Sequence, residues 1–144
     1  MRLKSSIASN VEHHINKGTV AKSKGFAAKF SRIDLRFVSF SSNLEFKYFM
    51  EAKNLKENSS ALKRRYIETG INNFISSKYN DGFLVGYLLQ GKIDRTVKGI
   101  NSLLIKDKRH SEIMKKTQSY SLNSFYESLH TGIGKIQHLV FDFS

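Results

Sequence analysis

The sequence predicts a single domain of the α/β or α+β class, in which helices flank a mixed β-sheet. Two hydrophobic periodicities alternate along the chain: a repeat of two residues, typical of strands, and repeats of three and four, typical of helices. The 144 residues suffice for one ordinary domain, and 40% of them are apolar. The predicted order is helix, strand, strand, helix, strand, helix, strand, strand, which combines both element types around one core.

The first 30 residues are predicted to form an N-terminal helix and a basic loop, and residues 31–144 form the core. Ser9 and Glu12 have capping-box spacing, so we expect a helix over Asn10–Lys17 that ends at Gly18. Residues 17–32 contain no acidic side chain. We interpret this stretch as a basic loop or a weak first strand.

A β-hairpin is predicted next, because apolar residues alternate over 33–37 and again over 44–52. Both strands have one apolar face, and a slip of one residue would turn one of these faces to water. A two-residue turn at Ser42-Asn43 satisfies this constraint and pairs Ser41 with Leu44. The same register places Asp34 opposite Glu51, on the other, polar face of the hairpin.

The remaining elements follow from the same patterns. Residues 61–79 form the strongest helix, with Ser59 or Ser60 as its cap. Apolar residues cover both faces of Phe83–Leu89, which is typical of a central strand. We further expect a helix over Ile93–Ile105, a basic, loop-rich stretch over 106–120, and a final hairpin of Ser124–His130 and Lys135–Phe143, turned at Gly132 and Gly134.

The composition favours a polyanionic partner. There are 24 Lys and Arg against 12 Asp and Glu, a formal net charge of +12. Such a field attracts nucleic acid first and an anionic membrane surface second. The absence of Cys excludes disulfides, cysteine-bound zinc and thiol nucleophiles. The longest apolar run is far too short to cross a bilayer, so we expect a soluble, cytoplasmic protein that does not enter membranes.

Basic residues concentrate in three segments, which we interpret as contacts to nucleic-acid phosphates. Solvated surface lysines without a partner are the alternative. The candidates are Lys22, Lys24 and Lys29 in the first segment, Lys63, Arg64 and Arg65 in the second, and Lys106, Lys108, Arg109, Lys115 and Lys116 in the third.

The predicted register creates a candidate metal site. Asp34 faces Glu51, and Lys53 follows two residues later on the same strand face. Two carboxylates suit a hard divalent cation such as Mg²⁺ or Mn²⁺, and two facing acids would repel each other without a cation. A solvated salt-bridge cluster is the alternative. A second Glu-x-Lys, Glu45 and Lys47, would face Phe40 rather than Asp34, about 20 Å along the strand.

These residues resemble the PD-(D/E)XK nuclease superfamily, which has the restriction-endonuclease-like fold. The matching motifs are Asp34 within Arg32-Ile33-Asp34-Leu35 and Glu51-Ala52-Lys53. The following Arg65-Tyr66-Ile67, Ile71, Phe74, Tyr79 and Gly86-Tyr87 look like a bacterial branch often associated with restriction or phage defence. The resemblance covers about residues 30–144. Ile33 stands where the family often has proline.

The resemblance implies a four-stranded mixed core sheet and a metal-dependent nuclease activity. It makes Asp34 and Glu51 metal ligands, the backbone carbonyl of Ala52 a further ligand, and Lys53 the catalytic lysine. Glu12 is the candidate for an additional acidic ligand, with a capping role as the alternative. A Ser-x-His segment recurs in the branch. Ser128 and His130 are therefore accessory candidates, with an ordinary hydrogen-bonded sheet histidine as the alternative.

Two functions follow as hypotheses. The first is an Mg²⁺- or Mn²⁺-dependent endonuclease that hydrolyses phosphodiester bonds in restriction or phage defence, with DNA as the favoured substrate and RNA as the alternative. The second is a non-catalytic module of the same fold that binds nucleic acid or a partner. A chain of this size has little surface for reading bases, which favours a homodimer or larger complex.

Overall fold

The computed structural model describes residues 7–11, 35–41, 44–76 and 82–144, with side chains from residue 48 onward. Within these ranges the strands form one seven-stranded sheet in the order β1-β2-β3-β4-β7-β6-β5. The strands are β1 (Ile7–Val11), β2 (Leu35–Ser41), β3 (Leu44–Leu55), β4 (Gly82–Leu88), β5 (Lys115–Ser119), β6 (Asn123–His130) and β7 (Gly134–Asp142). This mixed sheet with packed helices confirms the predicted fold class.

The hairpin register agrees with the sequence prediction wherever it is described. β2 and β3 are antiparallel, and their pairs run from Ser41 opposite Leu44 to Leu35 opposite Met50. Glu45 lies opposite Phe40, as predicted. β3, β4 and β7 are mutually parallel, which leaves β4 at the centre of the sheet, as its two apolar faces predicted.

The first helical segment has three parts: α1 (Ser60–Arg65), a π-helical turn (Tyr66–Ile71) and α2 (Asn72–Ile75). Ser59 caps α1, because its hydroxyl accepts a hydrogen bond from the backbone N–H of Leu62 at 3.3 Å. The predicted inward residues Tyr66, Ile67, Ile71 and Phe74 are buried. The π-helical turn was not predicted, and residues 77–79 of the predicted helix lie outside the described part of the chain.

The second helix, α3 (Ile93–Lys106), agrees with its prediction. Val97, Ile100 and Leu104 are buried, and together with the first helical segment they cover one face of the sheet. The segment after α3 is held to that helix by two hydrogen bonds from the Asn101 side chain. The side chain accepts a hydrogen bond from the Met114 N–H at 2.8 Å and donates one to the Met114 carbonyl at 2.9 Å. No helix in the described ranges is both long and apolar enough to cross a membrane.

Two predictions need correction within the described residues. Asn10 and Val11 lie in strand β1, paired with Arg36 and Leu35 of β2, and not in a helix, whereas residues 12–17 of the predicted helix lie outside the described part of the chain. The capping-box pattern is a local preference, and inter-strand pairing overrides it. The stretch 106–120 is not all loop either. It holds a 3₁₀ turn (His110–Glu112) and the edge strand β5, whose polar side chains gave no apolar alternation to detect.

The covered face of β3 also differs from the prediction. Phe49, Glu51, Lys53 and Leu55 share a face by alternation, and Leu55 is fully buried against the helices. Glu51 is only 5% exposed, whereas Tyr48 on the opposite face is 44% exposed. The face that we predicted to be polar is therefore the face that the helices cover.

Gly86 gives a test of this packing. A Cβ atom at Gly86 would lie 2.6 Å from Cδ1 of Leu55 and 3.5 Å from Cε2 of Tyr66. We expect Gly86→Ala to lower the free energy of unfolding by about 1–3 kcal/mol, as overpacked cores do. Gly99→Ala on α3 is the control, since the nearest atoms to its Cβ would belong to the flexible Lys63 side chain. Urea unfolding followed by circular dichroism measures both variants, and equal stability of the two would contradict this packing.

Candidate active site

Glu51 and Lys53 form a buried ion pair on β3. The Lys53 ammonium donates a hydrogen bond to Oε1 of Glu51. The Lys53 side chain is only 11% exposed and the Glu51 side chain only 7% exposed. Residues two apart on a strand project to the same side, so the Glu-x-Lys spacing itself brings the two groups together. A buried carboxylate of this kind needs a compensating cation, and here Lys53 supplies it.

The other predicted ligands are described only in part. Asp34 and Glu12 lie outside the described residues, so the pairing of Asp34 with Glu51 stays a prediction. Ala52 is half-buried, opposite Val85 of β4. Within the described ranges no three His, Asp, Glu or Cys side chains cluster as a metal site. The carboxylate of Glu51 and the carbonyl of Ala52 are hard oxygen donors, and their chemistry fits Mg²⁺ or Mn²⁺.

A cavity of about 400 Å³ adjoins Lys53. It lies near the carboxyl ends of the parallel strands β3 and β4, the usual location of ligands in sheets with parallel strands. Arg65, at the end of α1, is exposed and adds a second cation to the wall. The cavity is lined by Ala52, Lys53, Asn54, Leu62, Arg65 and Tyr87.

The predicted phosphate-binding residues divide into three groups. Lys22, Lys24 and Lys29 lie outside the described residues. Four others hold internal contacts: Lys63 with the Glu57 carbonyl, Arg64 with Asp107, Arg109 with Asn72 and Glu112, and Lys116 with Asp94. Arg65, Lys106, Lys108 and Lys115 are exposed and form no ion pair within the described part of the chain.

Ser128 and His130 do not lie beside Glu51. They belong to β6, three strands away from β3, a distance of about 14 Å or more at the usual strand spacing. Both are buried on the helix-covered face, where they join a separate hydrogen-bond chain. We call this the Tyr66–Glu112 chain, and its members are Tyr66, His138, Ser128, His130 and Glu112.

The Tyr66–Glu112 chain is continuous. The Tyr66 hydroxyl lies 2.9 Å from Nδ1 of His138, and Nε2 of His138 lies 2.7 Å from Oγ of Ser128. The same Oγ lies 2.6 Å from Nε2 of His130, whose Nδ1 lies 2.7 Å from Oε2 of Glu112. Arg109 pairs with Glu112 at the far end. Although Ser128, His130 and Glu112 have the connectivity of a catalytic triad, Ser128 is only 1% exposed, and its Oγ is shared with His138.

The protonation states of the two end groups determine the direction of every hydrogen bond in the chain. Burial alone would raise the pKa of Glu112, but hydrogen bonds from Arg109 and His130 outweigh it, so that its pKa is lowered. Burial raises the pKa of Tyr66 far above its usual value, so the hydroxyl keeps its proton. With an acceptor at Glu112 and a donor at Tyr66, the neutral chain has one arrangement, in which each group donates toward Glu112.

Both histidines are held in the neutral form. Burial, with His130 close by, lowers the pKa of His138 to about 3. Burial also lowers the pKa of His130, and it outweighs the opposing effect of Glu112. A single proton on each ring matches the one-way chain, because each imidazole then donates once and accepts once.

Tyr66, His138 and Glu112 were not predicted to be members of a polar chain. One feature of the sequence did indicate a polar cluster on this face of the sheet. The predicted Gly132/Gly134 hairpin places Tyr126, Ser128 and His130 on one strand face, and the observed register pairs Tyr126 with His138. Tyr66 and Glu112 carry no such signal, since they reach this face from a helix and a 3₁₀ turn. Comparisons with protein-family models, curated proteins and solved structures found no match.

The neutral histidines predict that acid destabilises the fold. Below pH 6.5 the unfolded chain protonates His138, whereas the folded protein does not until about pH 3. The free energy of unfolding should therefore fall as the pH falls between these values, by up to about 1.4 kcal/mol per pH unit for this residue. Urea unfolding at pH 7.5, 6.5 and 5.5 measures this slope.

His138→Gln removes the titrating group, so the variant should have a shallower slope, whatever its stability at pH 7.5. His110→Gln is the control, because His110 is exposed. This variant should keep the slope of the unchanged protein. An undiminished slope in His138→Gln would contradict the assignment of His138 as a buried neutral base.

Proposed function

We propose that this protein is a metal-dependent nuclease of the PD-(D/E)XK superfamily that hydrolyses phosphodiester bonds, in DNA rather than RNA. The observation that carries the proposal is the Glu51–Lys53 ion pair, whose lysine lines a cavity that Arg65 also lines. The net charge of +12 provides the attraction for a nucleic acid. Restriction or phage defence is the proposed role, and the cytoplasm is the proposed compartment.

In the proposed mechanism Glu51 and Asp34 would hold the cation, with the Ala52 carbonyl as a further ligand. When bound, Mg²⁺ would supply charge neutralisation at the phosphate and make water a stronger nucleophile. The Lys53 side chain lies on the same face of β3 as the Glu51 side chain. Lys53, which lines the cavity, would hold the attacking water or a phosphate oxygen there. Arg65 binds a neighbouring phosphate.

A non-catalytic nucleic-acid-binding module is the second candidate function. The observation that favours it is that Lys53 already neutralises Glu51, so the pair needs no cation to remain buried. Cleavage assays on plasmid DNA and on RNA, with Mg²⁺ and with EDTA, separate the two candidates. The nuclease cleaves only with Mg²⁺ or Mn²⁺, and Ca²⁺ does not support cleavage. Binding without cleavage under every metal condition would support the module.

Lys53→Met tests the role of the lysine. The variant keeps the aliphatic stem but not the ammonium, so we expect cleavage to fall by at least about 100-fold. It also leaves the Glu51 carboxylate without its cation, at a cost of about 1–3 kcal/mol in stability. Circular dichroism and urea unfolding must therefore show that the variant is folded under the assay conditions.

Lys47→Met is the matched control on the same strand. Lys47 pairs with Val38 of β2, six residues and about 20 Å before Lys53. It should retain most of the activity. A loss of activity in Lys47→Met with Lys53→Met active would place the catalytic pair at Glu45 and Lys47 and contradict the proposed site.

Binding should weaken steeply as salt increases, because it depends on the neutralisation of phosphates by Lys and Arg. Lys115 and Lys116 form a matched pair, since only Lys116 has an acidic partner in the described ranges. Lys115→Gln should reduce the slope of log K against log salt by up to about 0.9, and Lys116→Gln by less. Fluorescence anisotropy between 50 and 200 mM salt measures the slopes. Over this range of salt, a protein that makes about 6–10 phosphate contacts loses affinity by 10³-fold or more. An affinity for nucleic acid that does not change with salt concentration would contradict binding through phosphate neutralisation.

A further inference from the structure

A second cavity, of about 420 Å³, lies on the face of the sheet that points away from the described helices. We call this face the second face. Residues that pair across neighbouring strands project to the same side of a sheet, and alternation places Gln137 opposite the buried Ile136 and His138. The register therefore runs across four adjacent strands of the second face in one row: Phe83 of β4, Gln137 of β7, Glu127 of β6 and Lys115 of β5.

The side chains that line the cavity belong to this second face. Phe125 lies two residues before Glu127 on β6, and Gln118 of β5 is its register partner. Tyr126 also borders the cavity, but its side chain belongs to the buried core on the other face. Two aromatic rings and three polar side chains are thus directed to one side of the sheet: Phe83, Phe125, Gln118, Glu127 and Gln137.

We propose that this cavity binds one unpaired base of a nucleic-acid strand. The base would stack on Phe125 and donate a hydrogen bond to Glu127, while Lys115 would hold a neighbouring phosphate. Because the cavity lies on the face opposite the Glu51–Lys53 ion pair, it is a second nucleic-acid site in addition to the proposed catalytic one. The inference shares with the proposed function only the class of partner.

Phe125 directs one side of its ring to the cavity. Tyr120 contacts this ring with centroids 6.0 Å apart and planes at 80°. The Tyr120 N–H donates to the carbonyl of Asn123, two residues before Phe125, whereas Glu127 lies two residues after it. Tyr120 therefore supports the ring from the side away from Glu127. Phe83 is the second aromatic boundary, with strand β7 between the two phenylalanines.

The polar side chains predict which bases the cavity prefers. Oε2 of Glu127 pairs with Lys135 at 2.8 Å, and the carboxylate is 33% exposed, so Oε1 can accept a further hydrogen bond. A carboxylate only accepts. It therefore favours cytosine, which has an amino group, over thymine, which has a carbonyl at the same position. Gln118 and Gln137 can donate or accept, so their amides suit either base.

The positive charge for a phosphate comes from the same face. Lys115 is exposed, is the register partner of Glu127 and forms no ion pair within the described residues. The next residue, Lys116, projects to the other face, where it pairs with Asp94. A strand whose base occupies the cavity can therefore reach Lys115 with its phosphate without crossing the sheet.

This arrangement requires a base that is outside a double helix. In a duplex the neighbouring bases cover both faces of each internal base, and the partner base occupies the amino group of cytosine. The Phe125 ring and the Glu127 carboxylate can therefore contact only an unpaired base. The cavity predicts binding of single-stranded or locally unpaired nucleic acid.

The first test compares labelled single strands of deoxycytidine and of thymidine, of equal length, by fluorescence anisotropy in EDTA. We expect the unchanged protein to bind the cytosine strand about 3- to 10-fold more tightly, as one additional hydrogen bond predicts. Glu127→Gln should bring the two affinities within about 2-fold, because an amide can also donate to thymine. Glu68→Gln removes the same charge at an exposed position outside the cavity and should keep the cytosine preference.

Phe125→Leu tests the stacking. The variant should bind both strands about 5- to 100-fold more weakly, as the loss of one stacked base does. Phe125→Tyr keeps the ring and should bind within about 2-fold of the unchanged protein. Phe143→Leu, at an exposed phenylalanine outside the cavity, is the matched control and should bind normally.

A crosslinking measurement uses the unchanged protein and does not depend on the folding of a variant. Ultraviolet crosslinking to a strand that carries 5-iodocytosine, followed by mass spectrometry, should label the peptide with Phe125 or the peptide with Phe83. Labelling confined to other peptides, equal affinity for the two strands, or equal affinity of Phe125→Leu and Phe125→Tyr would overturn the inference. A dimer in sedimentation that Phe125→Leu dissociates would also overturn it, since the face would then bind a second copy.

The outcomes separate the inference from the proposed function. Cytosine-selective binding that depends on Phe125 and Glu127, without cleavage in any metal, would retain the second site and refute the nuclease. Metal-dependent cleavage, together with unchanged single-strand binding in Phe125→Leu and Glu127→Gln, would retain the nuclease and refute the second site.

Discussion

Polar side chains on the helix-covered face of the sheet impose the constraint on which the rest of this structure depends. Glu51, Ser128, His130 and His138 are at most 5% exposed, so water cannot satisfy them. Each must find its partner inside the protein. Glu51 does so with Lys53, and the other three do so in the Tyr66–Glu112 chain. The burial of this face therefore explains why its polar side chains pair with one another, in the Glu51–Lys53 ion pair and in the Tyr66–Glu112 chain.

Gly86 connects the two clusters. It pairs with Lys53 in the β3–β4 ladder, and its missing side chain leaves space for Leu55, Val140 and the ring of Tyr66. The same Tyr66 begins the π-helical turn and donates to His138, while Arg65 immediately before it lines the cavity. The first member of the buried hydrogen-bond chain, Tyr66, is thus the sequence neighbour of a residue that lines the cavity. Turns of π-helix often mark functional sites, which agrees with this placement.

The parallel arrangement of β3, β4 and β7 explains the location of the cavity. Parallel strands end at the same edge of a sheet, so Asn54 and Tyr87 come together there, and α1 adds Arg65 from the covered side. The lysine of the Glu51–Lys53 ion pair and the exposed Arg65, which has no ion pair within the described residues, line the same cavity. This combination supports the proposal of phosphate chemistry at this edge of the sheet.

The sequence by itself determined the hairpin register, the central position of β4 and the buried stripe of α3, because each depends on periodicity or turn length within one segment. It also identified Glu51 and Lys53, whose contact follows from strand alternation alone. Only the tertiary structure decided which face of β3 the helices cover, since both faces of that strand carry apolar residues. It alone brought Tyr66 to His138 and Arg65 to the cavity beside Lys53. It also placed Asn10 and Val11 in β1 rather than at the start of a helix, because pairing with a distant strand outweighs a local capping preference.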